Sequence, residues 1–185
     1  ERTEEVLDLL EEHDAKATFF VMGPIVILHP ETVRRMHRDG HEIGNHTWNH
    51  PQLTSATPDR VKSELERTAK AVRDTVGESP PVTRVPYGAI NDSVSMLLTP
   101  PSIMWSLDSQ DWRYHSETEI FETVTADAEP GSIVLMHDVL PDTVDALPEI
   151  LDYFAENGYE LVTASHILAG EEPAAGVNYY RGESP

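Results

Sequence analysis

Short apolar runs alternate with amphipathic segments along this chain of 185 residues, and that alternation limits its fold more than any other feature. The runs have the length of buried strands, and the segments between them have the period of helices. The pattern predicts helices at 2–14, 31–39, 58–76, 92–98, 117–127 and 142–156, and strands at 17–22, 41–44, 82–86, 102–107, 132–136 and 159–162. Because strands that alternate with helices form parallel sheets, we expect an α/β fold.

Three of the predicted helices carry an apolar face that should pack on the core. These faces consist of Val6, Leu9 and Leu10 in the first helix, of Val61, Leu65, Ala69 and Val72 in the third, and of Val144, Leu147, Ile150, Leu151 and Phe154 in the last. Residues 169–185 are rich in Gly, Pro and Glu, which is typical of a tail. The predicted organisation is therefore one domain over 1–168 followed by a tail over 169–185.

Acidic residues outnumber basic ones by 33 to 13, which gives a net charge of −20. Such a chain is a poor partner for nucleic acid or an anionic membrane, because phosphate binding needs clustered Lys and Arg. Dispersed acidic residues suit a protein kept soluble in high salt, so we expect a salt-rich source; an ordinary acidic surface is the alternative. No apolar run reaches the roughly 18 residues of a membrane span. The compartment, cytoplasmic or extracellular, and the oligomeric state stay open.

His46 and His50 follow the strand predicted at 41–44 with an i, i+4 spacing. If the backbone makes a helical turn there, both rings can reach one metal ion. The chain has no cysteine, and imidazole nitrogen suits Zn²⁺, Co²⁺ or Ni²⁺. A hydrolytic metal site usually has three protein ligands, so one more is needed, most naturally a carboxylate. The alternative is a solvated pair of turn histidines.

His137 follows the strand predicted at 132–136, where it could act as a general acid toward a leaving group. Alternatively, it is a core histidine bonded to a backbone carbonyl. Asp138 beside it either orients another group or serves as a cap. Asp108 and Asp111 flank an earlier loop, and a carboxylate near His137 would favour the protonated ring and fix its tautomer. The alternative for both is a surface turn.

Three more side chains are candidates for a binding site. Arg84 lies on the strand predicted at 82–86 and needs an anion, most simply an active-site carboxylate, although a structural ion pair would also explain it. Tyr87 and Trp112 could form a wall that stacks on a sugar ring, or could pack against the core. The remaining histidines have no such context and are assigned to the surface or core: His13, His29, His37, His41, His115 and His166.

These segments, together with 17–21 and 40–46, resemble the polysaccharide deacetylases of carbohydrate esterase family 4, the NodB-homology domain. The resemblance covers about residues 1–168. It implies a distorted (β/α) barrel of about seven strands. It also implies a hydrolase that removes acetyl groups from a polysaccharide or oligosaccharide, such as N-acetylglucosamine polymers or acetylated xylan. Such an enzyme needs a divalent metal, most often zinc, with cobalt or nickel as alternatives.

The resemblance also assigns roles to the candidate residues. By this resemblance, His46 and His50 would bind the metal, and His137 would be the catalytic acid, tuned by Asp108. Arg84 would hold the catalytic base, and the backbone N–H of Tyr87 would donate to the oxyanion. Trp112 and Leu135 would line the acetyl pocket.

The family's first motif, Thr-Phe-Asp-Asp-Gly, has no counterpart in these 185 residues. In the family that motif carries the catalytic base and the third metal ligand. We therefore expect the chain to lack its first strand and to be inactive, or nearly so, by itself. A non-catalytic domain that binds carbohydrate or has a structural role is the second hypothesis. We also expect an open gap in the barrel, because Gly176, Gly182 and Pro185 make the tail near 177–180 a weak strand.

Overall fold

The computed structural model describes residues 2–114, 116–168 and 175–182. The chain divides into two compact units. The first unit comprises residues 1–17, 105–162 and 180–185, and the second unit comprises 18–104 and 163–179. Both units combine helices with short parallel strands, as the sequence predicts.

The helices are α1 (Thr3–Glu12), α2 (Gly23–Leu28), α3 (Pro30–Arg38), α4 (Pro58–Val76), α5 (Asp92–Ser95), α6 (Glu117–Ala126), α7 (Pro141–Glu156) and α8 (Ala164–Ile167). The strands are β1 (Thr18–Val21), β2 (Glu42–Asn45), β3 (Ser102–Ile103), β4 (Leu107–Asp108), β5 (Val134–Leu135) and β6 (Asn178–Tyr179). Short 3₁₀ turns lie at Leu53–Ser55 and Pro86–Gly88. Among the described residues, no helix combines the length and the apolar character that crossing a bilayer requires.

The described strand pairs of the second unit are parallel. β1 pairs with β2 in a register that sets Thr18 opposite Glu42, and β3 pairs with β6. Thr83 makes single parallel bridges to the last residue of β2 and the first residue of β3. The strand predicted at 82–86 is thus reduced to one bridged residue, because Pro86 has no N–H to donate and opens the turn Pro86–Gly88. The parallel arrangement itself is confirmed.

In the first unit, β4 pairs in parallel with β5, and Leu107 lies opposite Val134. The single strand predicted at 102–107 is therefore split into β3 and β4, which belong to different units. The strand predicted at 159–162 is wrong, since these residues, all of which the structure describes, form no strand. Their N-terminal end is held on α7, because the N–H of Tyr159 donates to the carbonyl of Phe154 at 2.9 Å.

The tail, which the sequence predicts to be a weak strand, contains one short strand among its described residues. β6 lies within it and pairs with β3, with Ser102 N–H donating to Val177 O at 3.1 Å and Met104 N–H to Tyr179 O at 2.7 Å. The N–H of Gly182 then donates to Gly131 O at 2.9 Å in the first unit. Gly176 precedes β6 with φ 76°, a left-handed value that glycine adopts readily. The tail residues 169–174 and 183–185 lie outside the described residues.

The apolar face of α7 is confirmed, because all five of its predicted residues are buried. In α4, by contrast, Glu64 and Thr68 are buried where the sequence predicts Leu65 and Ala69, and the latter two are half-buried. A buried glutamate costs free energy unless its carboxylate is fully hydrogen-bonded. Glu64 therefore needs partners, and these belong to the candidate site.

Two helices near the start of the chain also depart from the prediction. α1 buries Leu7 completely, whereas Leu9, predicted to face inward, is half-buried. α2 was not predicted, because Gly23 and Pro24 indicate only the end of a strand. Proline is nevertheless well accommodated in the first turn of a helix, where its missing N–H has no helical partner to lose.

Gly44 in β2 occupies a position without room for a side chain. A Cβ atom there would overlap the ring of Phe20, which lies 4.2 Å from the guanidinium carbon of Arg84. We expect Gly44→Ala to lower the free energy of unfolding by about 1–3 kcal/mol through overpacking. Urea denaturation measures this, and adding Phe20→Val should restore part of the loss. An unchanged midpoint in Gly44→Ala would show that the ring moves away at no cost.

Candidate functional site

The two spaced histidines are brought together in the second unit. Their ring centroids are 4.8 Å apart, with the ring planes at 70°. His46 Nδ1 lies 2.8 Å from the carbonyl oxygen of Arg84, which follows the bridge at Thr83. Donation to this carbonyl assigns the proton of the neutral ring to Nδ1, so that Nε2 carries the lone pair suited to a metal ion. The arrangement therefore fits a metal-binding pair.

The turn that carries both histidines is not the helical turn that their spacing led us to expect. Thr47 has φ 66° and His50 has φ 55°, both in the left-handed region. Side chains stabilise this backbone: Asn45 Oδ1 accepts from Thr47 N–H at 2.9 Å, and Thr47 Oγ1 accepts from His50 N–H at 3.1 Å. The rings converge through two left-handed residues, a conformation that spacing does not reveal.

Glu64 of α4 is a residue of this region that the sequence analysis missed. Its carboxylate is 1% exposed and accepts hydrogen bonds from the turn between the histidines and from Arg60. Burial alone would raise the pKa of Glu64, but the hydrogen bonds from Asn49 and the nearby Arg60 outweigh it and lower the pKa. The available signal was the position of Glu64 three residues after the buried Val61, on the inward face of α4.

Arg84 is buried, and the described acceptors of its guanidinium are carbonyl oxygens. Nε donates to Ile103 O at 3.0 Å and Nη2 to Met104 O at 2.9 Å. Burial lowers the pKa of Arg84 to about 10. The guanidinium is thus held rigidly at the end of β3, and its contact with a catalytic carboxylate stays a prediction.

Tyr87 lies on the turn Pro86–Gly88 with φ 59°, an uncommon value for a residue with a side chain. Its side chain is 70% exposed, and its ring contacts the ring of His50 edge to face at 4.6 Å between centroids. Tyr87 therefore does not pack in the core. Non-glycine residues with such backbone strain are concentrated at functional sites, which is consistent with the role the resemblance gives it.

In the first unit, His137 is held by a carboxylate, but that carboxylate belongs to Asp111. Asp111 Oδ1 lies 2.7 Å from His137 Nδ1, and Oδ2 accepts from the backbone N–H of His137 at 2.6 Å. The hydroxyl of Thr143 in α7 donates to the same Oδ2 at 2.9 Å. Because Asp111 binds Nδ1, a proton that His137 exchanged with another molecule would pass through Nε2.

Asp108, to which the resemblance assigned this role, does something else in the described structure. It ends β4, and its Oδ1 accepts from the N–H of Gln110 at 2.8 Å, which closes a local turn. A side chain engaged in that turn is directed at its own loop, and the contact with His137 that the resemblance led us to expect of Asp108 is made by Asp111. Asp138 accepts from Thr3 Oγ1 at 2.6 Å and thereby binds the first residue of α1.

The two residues assigned to the acetyl pocket have different environments. Leu135 is buried in β5, and its carbonyl accepts from Ser109 N–H at 3.2 Å. Trp112 directly follows Asp111 and is 59% exposed, so it is not a core residue. An exposed indole is suited to stacking on a sugar ring.

The other histidines largely match their assignment. His41 is buried edge-on to Phe19, with 5.4 Å between ring centroids. His13 contacts the carbonyl of Leu9 at 2.8 Å and Asp152 at 3.0 Å. His115 lies outside the described residues.

The pKa of Asp111 is lowered from its ordinary value. Burial alone would raise the pKa, but the hydrogen bonds and charge of His137 and the hydroxyl of Thr143 outweigh burial. A carboxyl with a lowered pKa in the folded state stabilises the fold above its unfolded pKa. That contribution disappears as the pH falls through the folded pKa.

We therefore expect Asp111→Asn to lower the free energy of unfolding at pH 5 by about 1–3 kcal/mol, because buried donors lose an ionised acceptor. The difference from the wild type should shrink as the pH drops from about 5 to 2, past the ordinary carboxyl pKa of about 3.9. Urea denaturation at stepped pH measures it, with Asp108→Asn as the matched control. A difference that grows toward acid pH would contradict the role of ionised Asp111.

His46 and His50 provide two imidazole ligands where a hydrolytic site uses three protein ligands. Among the residues that the structure describes, no group of three or more His, Asp or Glu side chains is placed to hold a metal ion. The residues present fit a divalent metal in their donor type and tautomer. They would supply two of its ligands.

Comparison with known proteins extends the resemblance. The polysaccharide deacetylase family matches residues 1–99. The peptidoglycan-N-acetylglucosamine deacetylase PgdA of Listeria monocytogenes is 42% identical over 175 residues, which cover 95% of this chain and 37% of PgdA. A solved structure described as T48 deacetylase with substrate has a TM-score of 0.93 and 35% identity, and the match covers 97% of this chain and 90% of that one.

A pseudoenzyme is also among the similar structures. The CE4 family pseudoenzyme from Bacillus anthracis has a TM-score of 0.83 and 26% identity, and the match covers 89% of this chain and 59% of that one. The chain spans little more than a third of the length of the curated relatives that match it first. Because the family match covers more than half of the sequence, this chain belongs to the polysaccharide deacetylase family.

Proposed function

We propose that this chain carries the metal-binding histidines and the proton donor of a hydrolase that removes acetyl groups from a polysaccharide. The observation that carries the proposal is the pairing of His137 with the buried, ionised Asp111 at the end of β5. A carboxylate in that position fixes the tautomer of the imidazole and favours its protonated form. This is the environment that a general acid needs.

His46 and His50 would hold the divalent metal, for which we propose zinc and keep cobalt and nickel as alternatives. Bound there, the metal would supply Lewis-acid polarisation of the acetyl carbonyl and of a water molecule. The remaining ligand and the general base would come from a Thr-Phe-Asp-Asp-Gly strand. The distorted barrel of about seven strands is part of the same proposal.

The residues of this chain would stabilise the negative charge of the tetrahedral state and donate the proton to the leaving group. The N–H of Tyr87 would donate to the carbonyl oxygen as it becomes negative in the tetrahedral state. Protonated His137 would then give its Nε2 proton to the leaving amine, and Asp111 would stabilise the imidazolium until the transfer. Arg84, fixed by two carbonyls, would hold the carboxylate of the base in place.

The proposed substrate is an acetylated polymer of amino sugars. PgdA is named for acting on N-acetylglucosamine in peptidoglycan, and the exposed Trp112 and Tyr87 are suited to contacts with a sugar chain. The same groups would also cleave an acetyl ester, since an ester differs only in its leaving oxygen. Acetylated xylan is therefore the alternative substrate.

The test is acetate release from peptidoglycan, chitooligosaccharide and acetylated xylan by the zinc-loaded chain with a Thr-Phe-Asp-Asp-Gly strand joined at its N-terminus. We expect turnover on the N-acetylated polymers and a loss of about 10²–10⁴-fold in His137→Ala, as for other general acids. His166→Ala, at an exposed histidine, is the control. Full activity in His137→Ala would contradict the assignment of the acid.

A non-catalytic carbohydrate-binding domain is the second candidate. One observation favours it: a related structure is a CE4 family pseudoenzyme. Under this hypothesis the chain binds chitooligosaccharide, Trp112→Ala weakens the binding, and no acetate appears even with the strand supplied. Calorimetric binding measured beside acetate release separates the two functions.

A further inference from the structure

Glu64 is an acidic side chain in a place where charge is costly. It lies on the inward face of α4 and is 1% exposed. Four donor groups compensate its burial: the backbone N–H of Trp48 at 3.0 Å, the backbone N–H of Asn49 at 2.7 Å, the side-chain amide of Asn49 at 3.1 Å, and the guanidinium of Arg60 at 2.7 Å. Three of these four donors belong to the turn between His46 and His50.

The hydrogen bonds of Glu64 show which backbone groups it stabilises. Its Oε2 accepts from two consecutive backbone N–H groups, and consecutive N–H groups in such a turn form a cradle for an anion. In the observed conformation of the turn, both N–H groups point at this one oxygen. The carboxylate therefore selects a backbone conformation as well as satisfying two donors.

That conformation is strained without help. Thr47 and His50 flank the two N–H groups with φ 66° and φ 55°, and left-handed residues of this kind are strained. Hydrogen bonds to an ionised acceptor are stronger than those to a neutral one, so Glu64 can offset much of this strain. We therefore expect the turn to depend on Glu64 for its shape.

The rest of α4 supports the same turn. The carbonyl of Leu65 accepts from Asn45 Nδ2 at 2.9 Å, and the guanidinium carbon of Arg67 lies 4.1 Å from the Trp48 ring centroid. The Trp48 ring also lies so close to Gly23 that a Cβ there would overlap it. The turn is thus fixed to α4 by a hydrogen bond to a backbone carbonyl and a cation–π contact, and it packs against α2 at Gly23.

We propose that Glu64 is a positioning residue of the metal site: it holds the His46–His50 turn in the one conformation that presents both imidazoles to the same ion. The inference rests on the proposed metal-binding function of these histidines. Glu64 does not act as a ligand in this proposal, since its oxygens are engaged with the backbone of Trp48 and Asn49 and with Arg60. Without Glu64, the two rings bind metal independently.

The experiment is a titration of the 185-residue chain with Zn²⁺ alone, followed by NMR of the histidine ring signals, which resolves weak binding. The variants are Glu64→Ala, Glu64→Gln and the matched control Glu66→Gln on the exposed face of α4. We expect Glu64→Ala to weaken binding by about 10–100-fold, as is typical of residues that orient metal ligands. Glu64→Gln keeps one acceptor oxygen and should lose less, and Glu66→Gln should bind as the wild type does.

Two further readouts separate positioning from folding. Amide exchange at Trp48 and Asn49 should quicken in Glu64→Ala while the amides of α7 stay protected. In the wild type, the NMR shifts of the His46 and His50 rings should follow a single Zn²⁺ binding curve. In Glu64→Ala, the two rings should follow two different curves.

The outcomes are distinct. A wild type whose His46 and His50 signals ignore Zn²⁺ overturns the proposed metal site, and this role with it. A wild type that binds Zn²⁺, together with unchanged affinity in both Glu64 variants, overturns the role of Glu64 alone. Weaker binding in Glu66→Gln to the same degree as in Glu64→Gln would also overturn it, since the effect would then be one of overall charge.

Discussion

Replacing either His46 or His50 with alanine should abolish stoichiometric uptake of Zn²⁺ or Co²⁺. The two rings are 4.8 Å apart, and a metal held by them and one carboxylate loses a third of its protein ligands with either change. Since two imidazoles alone form a weak site, the measurement uses the chain with a Thr-Phe-Asp-Asp-Gly strand joined to it. Metal content after gel filtration should fall from about one ion per chain to near zero.

The control for that experiment is His166→Ala, which removes an exposed histidine and should leave uptake intact. The Co²⁺ absorption spectrum adds a second criterion, because loss of a ligand changes the coordination geometry. Undiminished uptake in both His46→Ala and His50→Ala would show that the ion binds elsewhere.

Acetate release should rise by at least about 10²–10⁴-fold when the Thr-Phe-Asp-Asp-Gly strand is joined to the chain, the range that a general base contributes. The third metal ligand arrives with the same strand, so the gain should exceed that of the base alone. The described residues contain no group of three or more metal-binding side chains that would replace it. The measurement is acetate release from chitooligosaccharide with saturating Zn²⁺.

A strand that reads Thr-Phe-Asn-Asn-Gly is the matched control, because it restores the backbone without the carboxylates. It should recover stability but little activity. Turnover by the unextended chain comparable to that of the Asp-Asp version would refute the prediction and require a base among the present residues. Turnover with the Asn-Asn version would refute the role of the two carboxylates but not the need for the strand.

The parallel α/β arrangement could be predicted because periodicity reports burial directly. The apolar face of α7 repeats with the helical period, and each of its residues is buried. The run at 159–162 contains the apolar Leu161 and Val162, yet it forms no strand. Leu161 O accepts from Lys16 N–H at 2.9 Å, but this hydrogen bond does not extend into a ladder among the described residues, and hydrophobicity does not reveal how many such bonds a neighbour offers.

In the site, too, the sequence pattern predicts which residues follow a strand but not which groups they contact. His46, His50 and His137 could be found because each follows a predicted strand. Asp108 and Asp111 could not be told apart, since both lie on one loop. Their contacts distinguish them: Asp108 accepts a hydrogen bond within its own loop, whereas Asp111 accepts one from Thr143 in α7.

Glu64 was missed for a related reason. A charged residue in an amphipathic helix is ordinarily placed on the solvent face. Its position three residues after Val61 indicates the inward face, but the sequence does not show what would compensate a carboxylate there. The compensation comes from two backbone N–H groups of a distant turn. Because nearly every residue has a backbone N–H, the sequence does not show which of them will bond a carboxylate.

The N-terminal helix of the first unit has a consequence for the proton donor. Thr3 Oγ1 donates to Asp138, the neighbour of His137, and the guanidinium of Arg2 binds Asp145 and the carbonyl of Pro141 in α7. We expect these contacts to couple the local unfolding of the first turn of α1 to that of the loop after His137. Fraying of α1 should then speed hydrogen exchange of the backbone amides at 137–141, next to the proposed acid.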